Sequence, residues 1–261
     1  MESLLLTLIG HGISDFMLQS ERMVEGKQQF NWGGFVRHGL VTGLTLIFVL
    51  HGYEFFPVLI FAAVLAILHS LIDWFKALAS SRFAKRLEWV VFLIDQALHL
   101  TAIFTVWQFF TLPENPAVQS MYQALLTPKS ITALAQSLMI GESWSANRIL
   151  VVIMVYLYVC LGGAFLLRGL LNGGNASAGA GSNPRRSGTL IGIAERFLVL
   201  LFVQSGSLGS VAFIFTAKSI ARFNELNDKA FAEYYLIGTL FSTALAISGG
   251  FFLNYLMGII I

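Results

Sequence analysis

Apolar runs of about 20 residues, the length a helix needs to cross the hydrocarbon core of a bilayer, recur along this sequence and constrain its fold more than any other feature. Bounded by charge or by Gly and Pro, they fall at roughly 3–19, 34–51, 56–76, 89–111, 149–171, 188–203, 207–223 and 231–257. Hydrophobic residues make up 56% of the chain and charged residues only 11%, against about 25% charged in a soluble domain. The bilayer is therefore the expected solvent, and the expected fold is all-α: a polytopic integral membrane bundle of about eight transmembrane helices.

The runs divide the chain into a four-helix membrane core (1–111), an extracytoplasmic segment (112–148), a fifth helix (149–171), a Gly/Ser/Asn-rich linker (172–188) and a three-helix segment (189–261). Within 112–148, Val118, Met121, Tyr122 and Leu125, then Ile131, Leu134 and Leu138, recur at helical spacing and suggest interfacial helices. The start of the chain has no basic region ahead of its first apolar run, so a cleaved signal peptide is not expected. The single cysteine, Cys160, lies in an apolar run, permits no internal disulfide and reads as a small core residue. A net charge of +2, spread over short loops, argues against nucleic acid as a partner.

Orientation follows from Lys and Arg, which are retained on the cytoplasmic side. With eight spans, Arg22, Lys27, Arg37, Lys76, Arg82, Lys85, Arg86, Arg168, Arg185, Arg186, Arg196, Lys218, Arg222 and Lys229 share one side, and Lys129 and Arg148 take the other. Both termini are then expected outside the cytoplasm and the linker inside it.

Ionisable residues inside spans are costly, about 2.5–3.5 kcal/mol for an aspartate at a helix centre on the mildest scale, and so they mark function. Three helices carry such residues in pairs: His11 and Asp15, His69 and Asp73, Asp95 and His99. Each pair is spaced i, i+4 and projects from one helical face. The fourth helix runs opposite to the first and third, and its motif is reversed too. All three aspartates then share a shallow layer and all three histidines a deeper one, about 6 Å apart at 1.5 Å rise per residue. His38 falls near the aspartate layer, and Gln19, Lys27, Lys76 and Gln96 lie near the cytoplasmic mouth. Facing helices build di-metal sites from such pairs. The same residues suit a proton or cation pathway, or simple interhelical hydrogen bonds, and the sequence leaves the three readings open. His51, at the outer end of its helix, belongs to neither layer. In the last three helices Lys218 and Arg222 share a face, where they would clamp an anionic group or pair with Glu195 and Glu233; Glu195 and Arg196 lie about two turns into a span.

The pattern His11-x-x-x-Asp15-Phe16-x-x-Gln19, Lys27, His38, His69-x-x-x-Asp73-x-x-Lys76 and Asp95-Gln96-x-x-His99 resembles a bacterial family of small integral membrane proteins known as domain of unknown function 3307. The strings GTLIGIAERF, AKSIARF and EYYLIGTL look like those that follow the domain in longer members. The resemblance implies a bacterial inner membrane and no established activity. More distantly, His-x-x-x-Asp repeated in apolar helices is similar to membrane-bound metal-dependent hydrolases, although the His-x-x-x-His pair usual in such enzymes is absent here.

Taken together, these features lead to the expectation of a metal-dependent membrane hydrolase acting on a lipid or lipid-linked substrate. A divalent metal, zinc first, would be held by His11, Asp15, His69, Asp73, Asp95 and His99, with His38 and Asp95 as catalytic groups and Lys76, Glu195, Arg196, Lys218 and Arg222 binding substrate. Membrane lipids are the expected partners, with a homo-oligomer as a further option. The rival is a transporter or channel coupling an ion or proton through the same cluster. The orientation predicts that alkaline phosphatase fused within 172–188 is inactive in cells and active when fused at the carboxy terminus; the opposite pattern would invert the placement of the cluster.

Overall fold

The computed structural model describes residues 1–82, 87–126, 145–172 and 184–259. Among these residues the chain is helical, with no strand: α1 (Glu2–Phe16), α2 (Glu21–Gln28), α3 (Trp32–Val49), α4 (Phe55–Arg82), α5 (Glu88–Phe109), α6 (Pro116–Leu126), α7 (Ala146–Tyr156), α8 (Gly163–Asn172), α9 (Pro184–Gln204), α10 (Leu208–Ala221) and α11 (Lys229–Ile259). A π-helical stretch, Leu157–Gly162, joins α7 to α8 without a break. Helices form at all eight expected positions, but five are long and apolar enough to cross a membrane: α3, α4, α5, α7 with α8, and α11. At 15 residues, α1 rises only about 22 Å, short of the roughly 30 Å hydrocarbon core. The 14-residue α10 is shorter still. Of the segment 112–148, α6 carries Val118, Met121 and Tyr122; Ile131, Leu134 and Leu138 lie outside the described residues, as do Lys85, Arg86, Lys129 and most of the linker.

On α3 and α4 the exposed stripes are apolar and polar side chains are buried, the reverse of the usual sorting on a soluble helix. Val36, Leu40, Leu44 and Phe48 form an exposed stripe on α3, while His38, Thr42 and Thr45 are buried on its other face. On α4, Ile60, Ile67, Leu71 and Phe75 are exposed, whereas His69 and Asp73 are buried. Each stripe follows the helical repeat, so one sequence period sorts lipid-compatible side chains from the polar interior.

Two compact units share the chain: residues 1–77 with 95–151, and 78–94 with 152–261. In the first, α1 and α2 both pack on α3. The turn from α2 to α3 is closed in three ways. Phe30 takes a left-handed backbone (φ 54°), and the amides of Phe30 and Asn31 bond back to the carbonyls of Lys27 (3.1 Å) and Gly26 (2.8 Å). This is a Schellman ending with Phe where Gly is usual. Asn31 then caps α3 by accepting from the Gly33 amide at 2.8 Å. At the other end of α3, the Glu54 amide donates to the Pro113 carbonyl (2.8 Å) and the Asn115 amide to the Gly52 carbonyl (2.9 Å). The Asn115 side chain caps α6, and the Tyr122 hydroxyl bonds to His51.

In the second unit α9 packs on α11 and on the π-helical stretch. Val199, Val203, Val211 and Ala246 form its buried core. Gly250 permits the close approach, since a Cβ there would meet Val203 at 2.6 Å.

Gly34 sets the seat of α2. A Cβ on it would lie 2.7 Å from the Lys27 amide nitrogen and 2.8 Å from the Gly26 carbonyl carbon, whereas one on Gly43 would meet only Ala66 Cβ at 3.5 Å. Backbone cannot yield as a flexible side chain can, so Gly34→Ala is expected to destabilise by about 1–3 kcal/mol and Gly43→Ala by about 0.5 kcal/mol or less. Thermal unfolding of both variants in detergent checks this, and equal midpoints would mean that α2 is not held this close.

Candidate metal centre

Four helices deliver histidines and aspartates into one buried cluster in the first unit. α1 supplies His11 and Asp15, α3 supplies His38, α4 supplies His69 and Asp73, and α5 supplies Asp95 and His99, all under 9% exposed. α2 adds Lys27, also buried, and α4 adds Lys76, whose side chain is 35% exposed.

Asp15 is the hub. Its Oδ1 lies 3.1 Å from His38 Nε2 and 3.2 Å from His69 Nε2, and those two ring nitrogens are 2.8 Å apart. Its Oδ2 accepts from the Gln96 amide at 3.2 Å and lies 3.8 Å from His11 Nε2. At most one proton can lie on the line between two ring nitrogens, so at least one of them presents a lone pair to the triangle. A tetrahedral zinc with bonds of about 2.0–2.1 Å holds its ligand atoms about 3.3–3.4 Å apart. The sides of the triangle Asp15–His38–His69 are shorter by about 0.1–0.6 Å, its two imidazoles and one carboxylate are a donor set that catalytic zinc sites use, and Asp73 Oδ2 stands 3.7 and 3.6 Å from its His38 and His69 nitrogens. Two further triads place their ligand atoms within 4.8 Å of one another, His11–His69–His99 and Asp73–Asp95–His99. The imidazoles form a continuous group, with His69 stacked on His99 at 4.0 Å and His11 5.0 Å from His99.

The other two aspartates are held by lysines. Lys27 Nζ lies 2.5 Å from Asp73 Oδ2, and Lys76 Nζ lies 2.7 Å from Asp95 Oδ2. Asp95 Oδ1 and His99 Nε2, 3.4 Å apart, have no hydrogen-bond partner among the described residues. Beyond the histidines a cavity of about 10 Å³, the size of one water, is lined by Thr7, His11, Thr42, Leu46, Leu65, His69, His99, Ala102 and Ile103. Leu46, Leu50, Val58, Phe61, Leu65 and Ile103, each 5% exposed or less, fill the interior on this side.

The six expected ligands and His38 all lie in this cluster, with His38 inside the tightest triad. Gln96, expected only to lie near the mouth, bridges two carboxylates, donating to Asp15 and, at 3.3 Å, to Asp95. Lys27 was legible only as a loop cation near the mouth; Gly26 and Gly34, which seat it, were the available signal. The hydroxyls of Ser14 and Thr42, 3.4 Å apart beside the cluster, gave none.

The expected substrate-binding residues of the carboxy-terminal half belong to the second unit and make contacts within it. Arg196 is 2% exposed; its Nε and Nη2 donate to the Cys160 carbonyl at 3.2 and 2.8 Å, and its Nη1 to Ser242 Oγ at 3.0 Å. Lys218 bonds Glu195 at 2.6 Å, as one sequence option had it, whereas Arg222 pairs with Glu225 at 2.6 Å rather than with Glu233.

Fold and site together define a class: an all-helical protein with helices long and apolar enough to cross a membrane, built around a buried His/Asp/Lys cluster. Residues 3–127, which include every residue of the cluster, match the model of a family described as a protein of unknown function (DUF3307). No curated protein and no solved structure matches the chain.

Removing one partner of a buried ion pair strands the other charge, at about 3–5 kcal/mol. Lys27→Met is therefore expected to destabilise the metal-free chain by that amount, and Asp73→Asn added to it to recover most of the loss. Unfolding of the two variants in detergent with a chelator measures this; an additive double variant would show that the pair does not interact.

Proposed function

We propose that this chain is a metal-dependent hydrolase of a bacterial inner membrane, acting on a lipid or lipid-linked substrate. The observation that carries the reading is the triangle of Asp15 Oδ1, His38 Nε2 and His69 Nε2, three donors close to the spacing of one zinc face. The ion bound there, zinc by this donor set, would polarise the scissile acyl or phosphoryl group and acidify a water molecule. His38 thereby becomes a ligand rather than an acid or base.

The chain's own residues do the rest. Gln96 holds Asp15 and Asp95 in register. Asp95 Oδ1 and His99 Nε2, with no hydrogen-bond partner among the described residues, accept the proton of the attacking water and return it to the leaving group. Lys76, the more exposed of the two lysines, meets an anionic head group at the mouth. The apolar fill of Leu46, Leu50, Val58 and Phe61 supports hydrolysis over transport, because an ion path through the unit would have to cross it. In this reading the mouth faces the cytoplasm, and eight helices, with α1 and α10 as short spans, complete the bundle.

Metal analysis of protein purified with zinc should find bound metal in the wild type and at least a tenfold loss in His69→Ala. Reconstituted with total bacterial lipid, the wild type should release a hydrolysis product seen by mass spectrometry, and Asp95→Asn should keep its metal while losing the product. Metal binding without any product would remove the hydrolase and leave an ion pathway; no metal in the wild type would remove both the hydrolase and the metal centre.

A further inference from the structure

The cluster has the donors for two metal ions, since Asp15–His38–His69 and Asp73–Asp95–His99 are adjoining triads that share no residue, with Asp73 Oδ2 3.7 and 3.6 Å from the nitrogens of His38 and His69. Two lysines already stand in the second triad. Lys27 reaches Asp73 Oδ2 at 2.5 Å from α2, and Lys76 reaches Asp95 Oδ2 at 2.7 Å from α4, so each of its two carboxylates already carries an ammonium. We propose that Lys27 and Lys76 fill the place of a second metal ion, so that the centre holds one divalent ion, at Asp15, His38 and His69.

Charge makes the same case. The cluster contains three carboxylates and two ammonium groups, leaving one negative charge when the four imidazoles are neutral. One divalent ion turns this into a single positive charge, which one anion from water or substrate neutralises. Two divalent ions would leave three positive charges buried among helices, an arrangement a low-dielectric interior opposes. The position of Lys27 is also built rather than incidental. Gly34 lets α2 come within backbone contact of α3, the Schellman turn at Phe30 fixes the end of α2, and the lysine that results is only 8% exposed. A lysine at a helix end without such seating would extend toward solvent. Asp95 Oδ1 and His99 Nε2 then remain as acceptors for water instead of ligands.

The inference rests on the metal reading, and the experiment separates the two. The full-length chain is loaded with Mn²⁺ or Zn²⁺ in detergent, freed of loose metal by gel filtration, and its metal counted against protein. The wild type should hold about one ion per chain, and Lys27→Met with Lys76→Met about two, because the carboxylates released would recruit a second ion. Lys76→Arg, which keeps the positive charge, should stay at about one. Two ions in the wild type, or one in the double variant, overturns the role of the lysines while the metal centre stands. No ion in the wild type overturns the metal reading and this inference with it. Should the double variant not fold, the wild type still decides: its Mn²⁺ spectrum should be the six-line signal of an isolated ion, and an exchange-coupled pair would overturn the proposal.

Discussion

A carboxylate taken into a helical interior without a matching charge or hydrogen bonds is too costly to keep. Here three are taken in, and much of the first unit reads as a response to them. Asp15 draws imidazoles from α3 and α4 and an amide from α5, so one side chain ties four helices together. Asp73 draws Lys27, and with it the whole of α2, which needs Gly34 to come close enough and an unusual turn at Phe30 to stop in time. Asp95 draws Lys76 from the next turn of α4 beyond Asp73. The helices are thus fastened at one end of the unit by polar contacts and filled at the other by Leu46, Leu50, Val58 and Phe61.

The second unit meets the same constraint by another route. Arg196 is as buried as any aspartate of the cluster, but it bonds a backbone carbonyl and a serine hydroxyl instead of a carboxylate. The carbonyl belongs to Cys160 in the π-helical stretch, where the wider turn interrupts the regular i→i+4 pattern. A guanidinium can be served in this way because its donors fan out in a plane and reach several acceptors at once. The cysteine is buried, and its carbonyl rather than its thiol takes the guanidinium.

Polar groups inside and apolar groups outside also decide what the cluster can do. A donor set held by four helices and by lysines is preorganised, and a ligand set that need not reorganise binds an ion at lower cost. The fill of aliphatic and aromatic side chains beyond the histidines keeps this chemistry at one end of the unit.

The helices and the members of the cluster were legible in the sequence because both depend on spacing alone. Apolar length marks a helix that can meet lipid, and the interval of four puts His11 with Asp15, His69 with Asp73 and Asp95 with His99 on common faces whatever the helices do next. The reversal of the motif in α5 was readable too, since it needs only the direction of the chain. The partners within the cluster were not. Which aspartates take lysines as well as imidazoles is set by helix rotation and by a close approach of α2 to α3 that depends on a glycine's missing Cβ, and no periodicity encodes either. In the second unit, likewise, the sequence left Lys218 and Arg222 to clamp an anion or to pair with Glu195 and Glu233, and only packing decided what they and Arg196 touch. Sequence spacing fixes the face a side chain leaves from; only the packed helices decide what stands opposite, because that distance is set by the bulk of residues far away in the chain.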